Sequence, residues 1–145
     1  MKYQFSPGWT KKTREIAALL EMNHIPLDRI SVIESSGSKT RRTIARIHGL
    51  AKVMKLGMQQ EKAFYTIELI SEKFNRQPDE EKLKTIIHEL LHIPENFGGG
   101  FRQHNPYVNH RTVDMAYGKL ISHPAYRKET ESANSQTETE QTRIL

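Results

Sequence analysis

The chain of 145 residues contains no cysteine. Disulfide staples and thiolate metal sites are therefore excluded, and any metal must be held by nitrogen and oxygen ligands. It also lacks an apolar run approaching the roughly 18 to 20 residues that cross a bilayer. The first residues, Met1 to Gly8, carry no apolar stretch of the secretory kind, so a cytoplasmic protein without membrane attachment is expected. Acidic residues are missing from one segment. Between Lys39 and Lys55 there are six basic residues (Lys39, Arg41, Arg42, Arg46, Lys52, Lys55) and no carboxylate, within a chain of net charge +5. This run suits a solvated basic face or, as a second reading, a nucleic-acid or acidic-peptide surface. No aromatic residue interleaves its charges, which weakens stacking against single strands.

A chain of this length fits one domain. Residues 1–126 carry the apolar periodicity. Residues 127–145 are a polar tail of Glu, Ser, Thr and Gln, expected to be disordered. Ser6-Pro7 predicts a helix start, serine capping and proline at the first turn, for a helix over residues 7–22. Arg29 to Glu34 and Arg42 to Gly49 alternate as strands, although residues 43–54 also admit a helix. Ser35 to Ser38 reads as a turn, and Lys52 to Gln60 is ambiguous. Ala63 to Ile70 is the clearest strand, with Tyr65, Ile67 and Leu69 on one face and Phe64, Thr66 and Glu68 on the other. Glu68 suits a buried partner of a basic residue, and His24 and His48 suit packing or surface roles.

The most informative helix opens on Asp79, Glu80 and Glu81, whose carboxylates complement the helix dipole. Leu83, Ile86, Ile87, Leu90 and Leu91 form its apolar stripe, and Pro94 stops it near Ile93. A glycine-rich connection follows, then a final helix from His110 to Ile121 that buries Val113, Ala116, Tyr117 and Leu120. Within the first of these helices lies His88-Glu89-Leu90-Leu91-His92. Residues i and i+4 share a helix face, so the two imidazoles can meet one metal ion. Glu89, about 100° round the helix, can reach a water on that metal instead of the metal itself. This is the division of labour in a zinc hydrolase: two histidines hold Zn2+, and the glutamate takes a proton from the bound water.

A third ligand must come from elsewhere. His104 stands first, because Gly98-Gly99-Gly100 lets the backbone turn back toward the helix. His110 is the alternative and Asp114 stands behind both, while Glu95 follows Pro94 too closely. Position 98 is glycine, so the third histidine of a metzincin is missing. Arg102, Tyr107, Arg111 and Tyr117 are candidate oxyanion stabilisers.

The run Ile87 to Pro94, then Phe97-Gly98-Gly99-Gly100-Phe101-Arg102-Gln103-His104, resembles a family of phage and archaeal metallopeptidases. Tyr107-Val108-Asn109, Arg111, Val113-Asp114 and Tyr117 continue the likeness. So do Gly37 to Thr40, Ala45 to Gly49, Tyr65, Ile67-Glu68 and Phe74 upstream. The resemblance spans about residues 30–117, and the family is distantly similar to SprT-like and other minimal zinc peptidases. It implies zinc at His88, His92 and His104 with Glu89 as base. The expected fold is α+β and zincin-like: a short mixed or antiparallel sheet against the active-site helix, flanked by N- and C-terminal helices. The expected function is hydrolysis of peptide bonds in a peptide or protein substrate, with the strand at 63–70 accepting it by strand addition. The alternative is a nucleic-acid-associated or regulatory protein, bound through residues 39–55, with a structural or vestigial zinc site.

Overall fold

A computed structural model of the chain describes residues 1–130. Its strands are β1 (Lys2–Phe5), β2 (Ile30–Ser36), β3 (Ala45–Gly49) and β4 (Tyr65–Ile70). Its helices are α1 (Pro7–Leu19), α2 (Lys52–Gly57), α3 (Ser71–Phe74), α4 (Asp79–Leu91), α5 (His104–Tyr107) and α6 (His110–Ser122). The strands form one mixed sheet in the order β1-β2-β4-β3. β2 and β4 run parallel in the middle, while β1 and β3 pair antiparallel at the two edges. The architecture is therefore α+β with a mixed sheet.

Alternation decides which side of the sheet is the core. Tyr65, Ile67 and Leu69 of β4 and Ile30 and Val32 of β2 face Ile16 and Ala17 of α1 and Ile86, Ile87 and Leu90 of α4 in one apolar cluster. α1 starts as its sequence directs, with the Ser6 hydroxyl accepting from Trp9 N at 3.3 Å and Pro7 in the first turn. It stops at Leu19, earlier than residue 22, because Glu21 takes a positive φ of 55° and turns the chain. β2 runs on through Ser35 and Ser36, and the turn falls at Gly37, where φ is +87°. The segment at 42–49 is a strand from Ala45, and the ambiguous stretch that follows becomes α2. β1 is an addition that alternation did not mark: all four of its residues are exposed, so no apolar period announces it.

The expected place of β4 as a peptide-accepting strand is corrected by the pairing. Both edges of β4 are occupied, by β2 on one side and β3 on the other, so no further strand can add there. Of the expected tail, residues 127–130 are helical, and residues 131–145 lie outside the described residues.

Glu68 sits in the middle of β4 on the face away from the apolar cluster, yet is only 2% exposed. Its carboxylate accepts from the Ser35 hydroxyl at 2.6 Å and from His48 Nε2 at 2.8 Å, linking the three neighbouring strands. Burial works against its ionisation. The hydrogen bonds from Ser35 and His48 and the charges of His48 and Arg46 outweigh that, and its pKa is lowered below 4.5. A lowered carboxylate pKa stabilises the fold above the unfolded value and is lost as pH falls through the folded one. Glu68→Ala should therefore cost about 2–4 kcal/mol in urea unfolding at neutral pH, since it also strands the buried Ser35 hydroxyl. The gap between variant and wild type should narrow as the pH is taken below 4.5.

Candidate metal centre

The apolar stripe of α4 sets the rotation of the helix. With Ile86, Ile87 and Leu90 fully buried, His88 falls at the border of the core, half-buried, while Glu89 is 7% and His92 9% exposed. Glu89 thus lies deeper than a residue at a polar border. His92 is the C-cap of α4, and Pro94 prevents another turn. The chain then loops through Asn96 to Phe101 and comes back. Gly99 takes φ +101°, a conformation that favours glycine.

Two reciprocal bonds tie the returning chain to the helix end. Arg102 N donates to the His92 carbonyl at 2.7 Å, and His92 Nδ1 donates to the Arg102 carbonyl at 2.7 Å. The second bond places the ring proton on Nδ1 and leaves a lone pair on Nε2. His104 follows two residues later, at the start of α5. Its ring centre lies 4.7 Å from that of His92 and 5.5 Å from that of His88. One ring nitrogen from each of the three histidines lies within 4.8 Å of the other two.

This donor set fits a metal. Tetrahedral imidazole coordination with bonds of about 2.0–2.1 Å puts ligand nitrogens about 3.3 Å apart. His88 Nε2 and His92 Nε2 are separated by 3.3 Å. Both rings are held neutral, as ligation requires. Burial, then the neighbouring His92, His104 and His110, depress His88 to about 4. Burial chiefly lowers His92, against the opposing bond to Arg102. Burial alone pushes the Glu89 carboxyl up to about 7, and no ion pair to it is found among the described residues. A cleft of about 690 Å³ opens in front of His88, Glu89 and His104.

The structure sorts the remaining candidates. His110 lines the cleft on the first turn of α6, near enough to oppose protonation of His88, but it is outside the group of three. Asp114 also lines the cleft, with its carboxylate 3.2 Å from Lys84 Nζ. Arg102 is turned toward Glu95 at 3.5 Å and over the Tyr107 ring at 5.4 Å. Tyr117 is half-buried beneath Lys84, and Arg111 is exposed on α6. None of the four candidate oxyanion stabilisers lines the cleft. Arg42, Asn109 and Lys84 do; Arg42 belongs to the basic segment marked in the sequence, and Lys84 carries no distinguishing signal there. Asn109 has a legible signal of another kind: its side chain and that of Thr112 form a capping box at the start of α6. Three residues of the basic segment go to different places. Arg42 faces the cleft, Arg46 pairs across from Glu68 on β3, and Lys55 Nζ reaches the Gly98 carbonyl at 3.5 Å. His24 Nε2 meets the Ile93 carbonyl at 3.3 Å, a packing role.

The depressed His88 pKa has a direct readout. In the metal-free protein its ring resonance should hold the neutral-imidazole position well below the ordinary value of 6.5 and titrate near pH 4. Titration near 6.5 in a two-dimensional NMR series would contradict the crowding described here. The sign for stability follows: the folded form keeps its full advantage above 6.5 and loses it as pH falls toward 4.

Among the described residues no helix is long and apolar enough to cross a membrane. No curated protein and no solved structure matches the chain. A family model does, over residues 9–134, a span that holds every strand except β1, nearly all of α1 and the whole cluster of three histidines. On that match the chain belongs to the family described as Putative phage metallopeptidase.

Proposed function

We propose that the protein is a zinc-dependent peptidase in which His88, His92 and His104 hold the metal and Glu89 is the general base. The observation that carries this reading is the meeting of three imidazoles beside a buried carboxyl, without an ion-pair partner among the described residues, in an open cleft. Zinc, when bound, would act as a Lewis acid toward a substrate carbonyl and acidify water. An all-nitrogen set in a chain without cysteine suits that ion. Glu89 then accepts the proton from water as the carbonyl is attacked and returns it to the leaving amine. A carboxyl that burial has already raised to about 7 suits this exchange near neutral pH.

Substrate binding follows from the free edge of the sheet. Ile70 N donates to the Ile44 carbonyl and Leu50 N to the Phe64 carbonyl, so even-numbered residues of β3 bond to β4. Ala45 and Ile47 therefore turn their backbone groups outward. Ala45 also lines the cleft. An extended peptide added along β3 would run past Glu89. Developing negative charge on its carbonyl oxygen needs a hydrogen-bond donor, and we assign that role to His110, which faces the cleft where Arg102, Tyr107, Arg111 and Tyr117 do not. The alternative of a nucleic-acid-associated or regulatory protein rests on residues 39–55. The division of Arg42, Arg46 and Lys55 among the cleft, the sheet face and the glycine loop supports the peptidase reading over a single binding stripe.

Glu89→Gln should keep one equivalent of zinc in equilibrium dialysis and lose roughly 10²–10⁴-fold in hydrolysis of an unfolded protein substrate. A wild-type chain that stays metal-free with stoichiometric zinc, or a Glu89→Gln variant as active as wild type, would sink the proposal. His110→Ala should lower kcat about 10²–10³-fold with zinc content unchanged. Loss of zinc from that variant would instead make His110 a ligand.

A further inference from the structure

We infer that Tyr65, on the central strand, is a positioning residue that clamps the glycine loop and thereby sets His104 and the Arg102 carbonyl for metal binding. The inference rests on the metal-centre reading above and adds a residue remote in sequence from the histidines. The Tyr65 side chain is 1% exposed, and its hydroxyl is fully used. It accepts from Gly99 N at 2.9 Å and donates to the Gly100 carbonyl at 2.7 Å. The ring is wedged edge-on between Phe97, with centroids 4.9 Å apart, and Phe101, at 5.7 Å. One phenol thus grips the loop from Phe97 to Phe101 by its backbone and by both flanking rings.

The loop needs such a grip. It joins the end of α4 to His104, and three consecutive glycines leave its backbone the widest conformational choice in the chain. Its far end is fixed to His92 through Arg102, Lys55 Nζ of α2 lies 3.5 Å from the Gly98 carbonyl, and its middle meets the sheet through Tyr65 and through a close approach to β3. There the Gly99 carbonyl lies where a Cβ at Gly49 would be 2.9 Å away. Gly49 and Tyr65 are cross-strand partners, so both contacts act at one level of the sheet. Slack in the loop would spread His104 over many positions and loosen the bond that fixes the His92 ring. Groups that orient metal ligands from behind typically contribute 10- to 100-fold in metal affinity.

The test compares full-length wild type, Tyr65→Phe and Gly49→Ala, with Ile67→Val as a control that weakens the same strand without touching the loop. Zinc affinity is measured by competition with a chromophoric chelator, and ligand geometry by the visible absorption of the cobalt-substituted protein. Tyr65→Phe keeps the ring between Phe97 and Phe101 and removes only the hydroxyl. It should bind zinc 10- to 100-fold more weakly and give an altered cobalt spectrum, while Ile67→Val matches wild type in both. Gly49→Ala pushes the Gly99 carbonyl from the opposite side and should do the same, which covers the case of a poorly folding phenylalanine variant. Wild-type affinity and spectrum in either loop variant would overturn the clamp, as would an equal loss in Ile67→Val. A wild-type chain that binds no zinc would overturn the metal centre itself and the clamp with it, so the two failures are told apart.

Discussion

The paired bonds between His92 and Arg102 are the constraint on which the centre depends. A helix end leaves carbonyls without partners, and α4 must end because Pro94 cannot continue it. The chain uses that requirement twice. The His92 carbonyl receives the Arg102 amide, which returns the loop to the helix, and the His92 ring gives its Nδ1 proton to the Arg102 carbonyl. The first bond brings the segment with His104 alongside α4. The second leaves Nε2 of His92 facing Nε2 of His88. Ring orientation, tautomer and the approach of a third ligand follow from one local solution to a capping problem.

The surroundings of that solution are electrostatically costly. Three imidazole centres lie 4.7 to 5.5 Å apart, and burial together with the neighbouring rings disfavours protonation of His88 and His92. Beside them Glu89 is buried with burial alone acting on its pKa, and that raises it. A carboxylate removed from water without a partner is a penalty the fold must absorb. The contrast with Glu68 is instructive. Glu68 is still less exposed, yet two hydrogen bonds and two nearby bases keep it ionised. One buried glutamate is satisfied by the fold. The other is left short of a positive charge beside three imidazole donors, a deficit that a divalent cation would relieve.

How much of this could be read from the chain depends on the range of the signal. α4 was legible because its stripe, its acidic first turn and Pro94 agree with one another, and β4 was legible because its apolar and polar residues alternate. His88, Glu89 and His92 came with the helix, since their meeting needs only its pitch. His104 was legible at second hand: three glycines permit a return, but the bond to Arg102 that directs it is a backbone contact with no residue type of its own. β1 escaped because nothing on it is buried. The polar lining of the cleft was harder. Arg102, Tyr107, Arg111 and Tyr117 do not line the cleft, whereas Asn109 and His110, from the same stretch of sequence, line it at the start of α6, and Arg42 comes to it from the β2–β3 loop. Sequence proximity does not predict which way a side chain turns.

Strand order has the widest consequence. Had β4 been an edge, as its place before α3 and α4 suggests, an extended ligand would meet the sheet directly beside Tyr65. The order β1-β2-β4-β3 instead encloses β4 and puts β3 at the margin, so Ala45 and Ile47 turn their backbone groups away from β4, and Ala45 lines the cleft. The same strand then narrows at Gly49, where the absent side chain admits the Gly99 carbonyl. One end of β3 is thus free at the cleft and the other is closed by the loop that carries His104. A peptide laid on that edge would meet a wall made of the loop itself, so the residues that shape the histidine cluster would also limit how far such a peptide could extend past it.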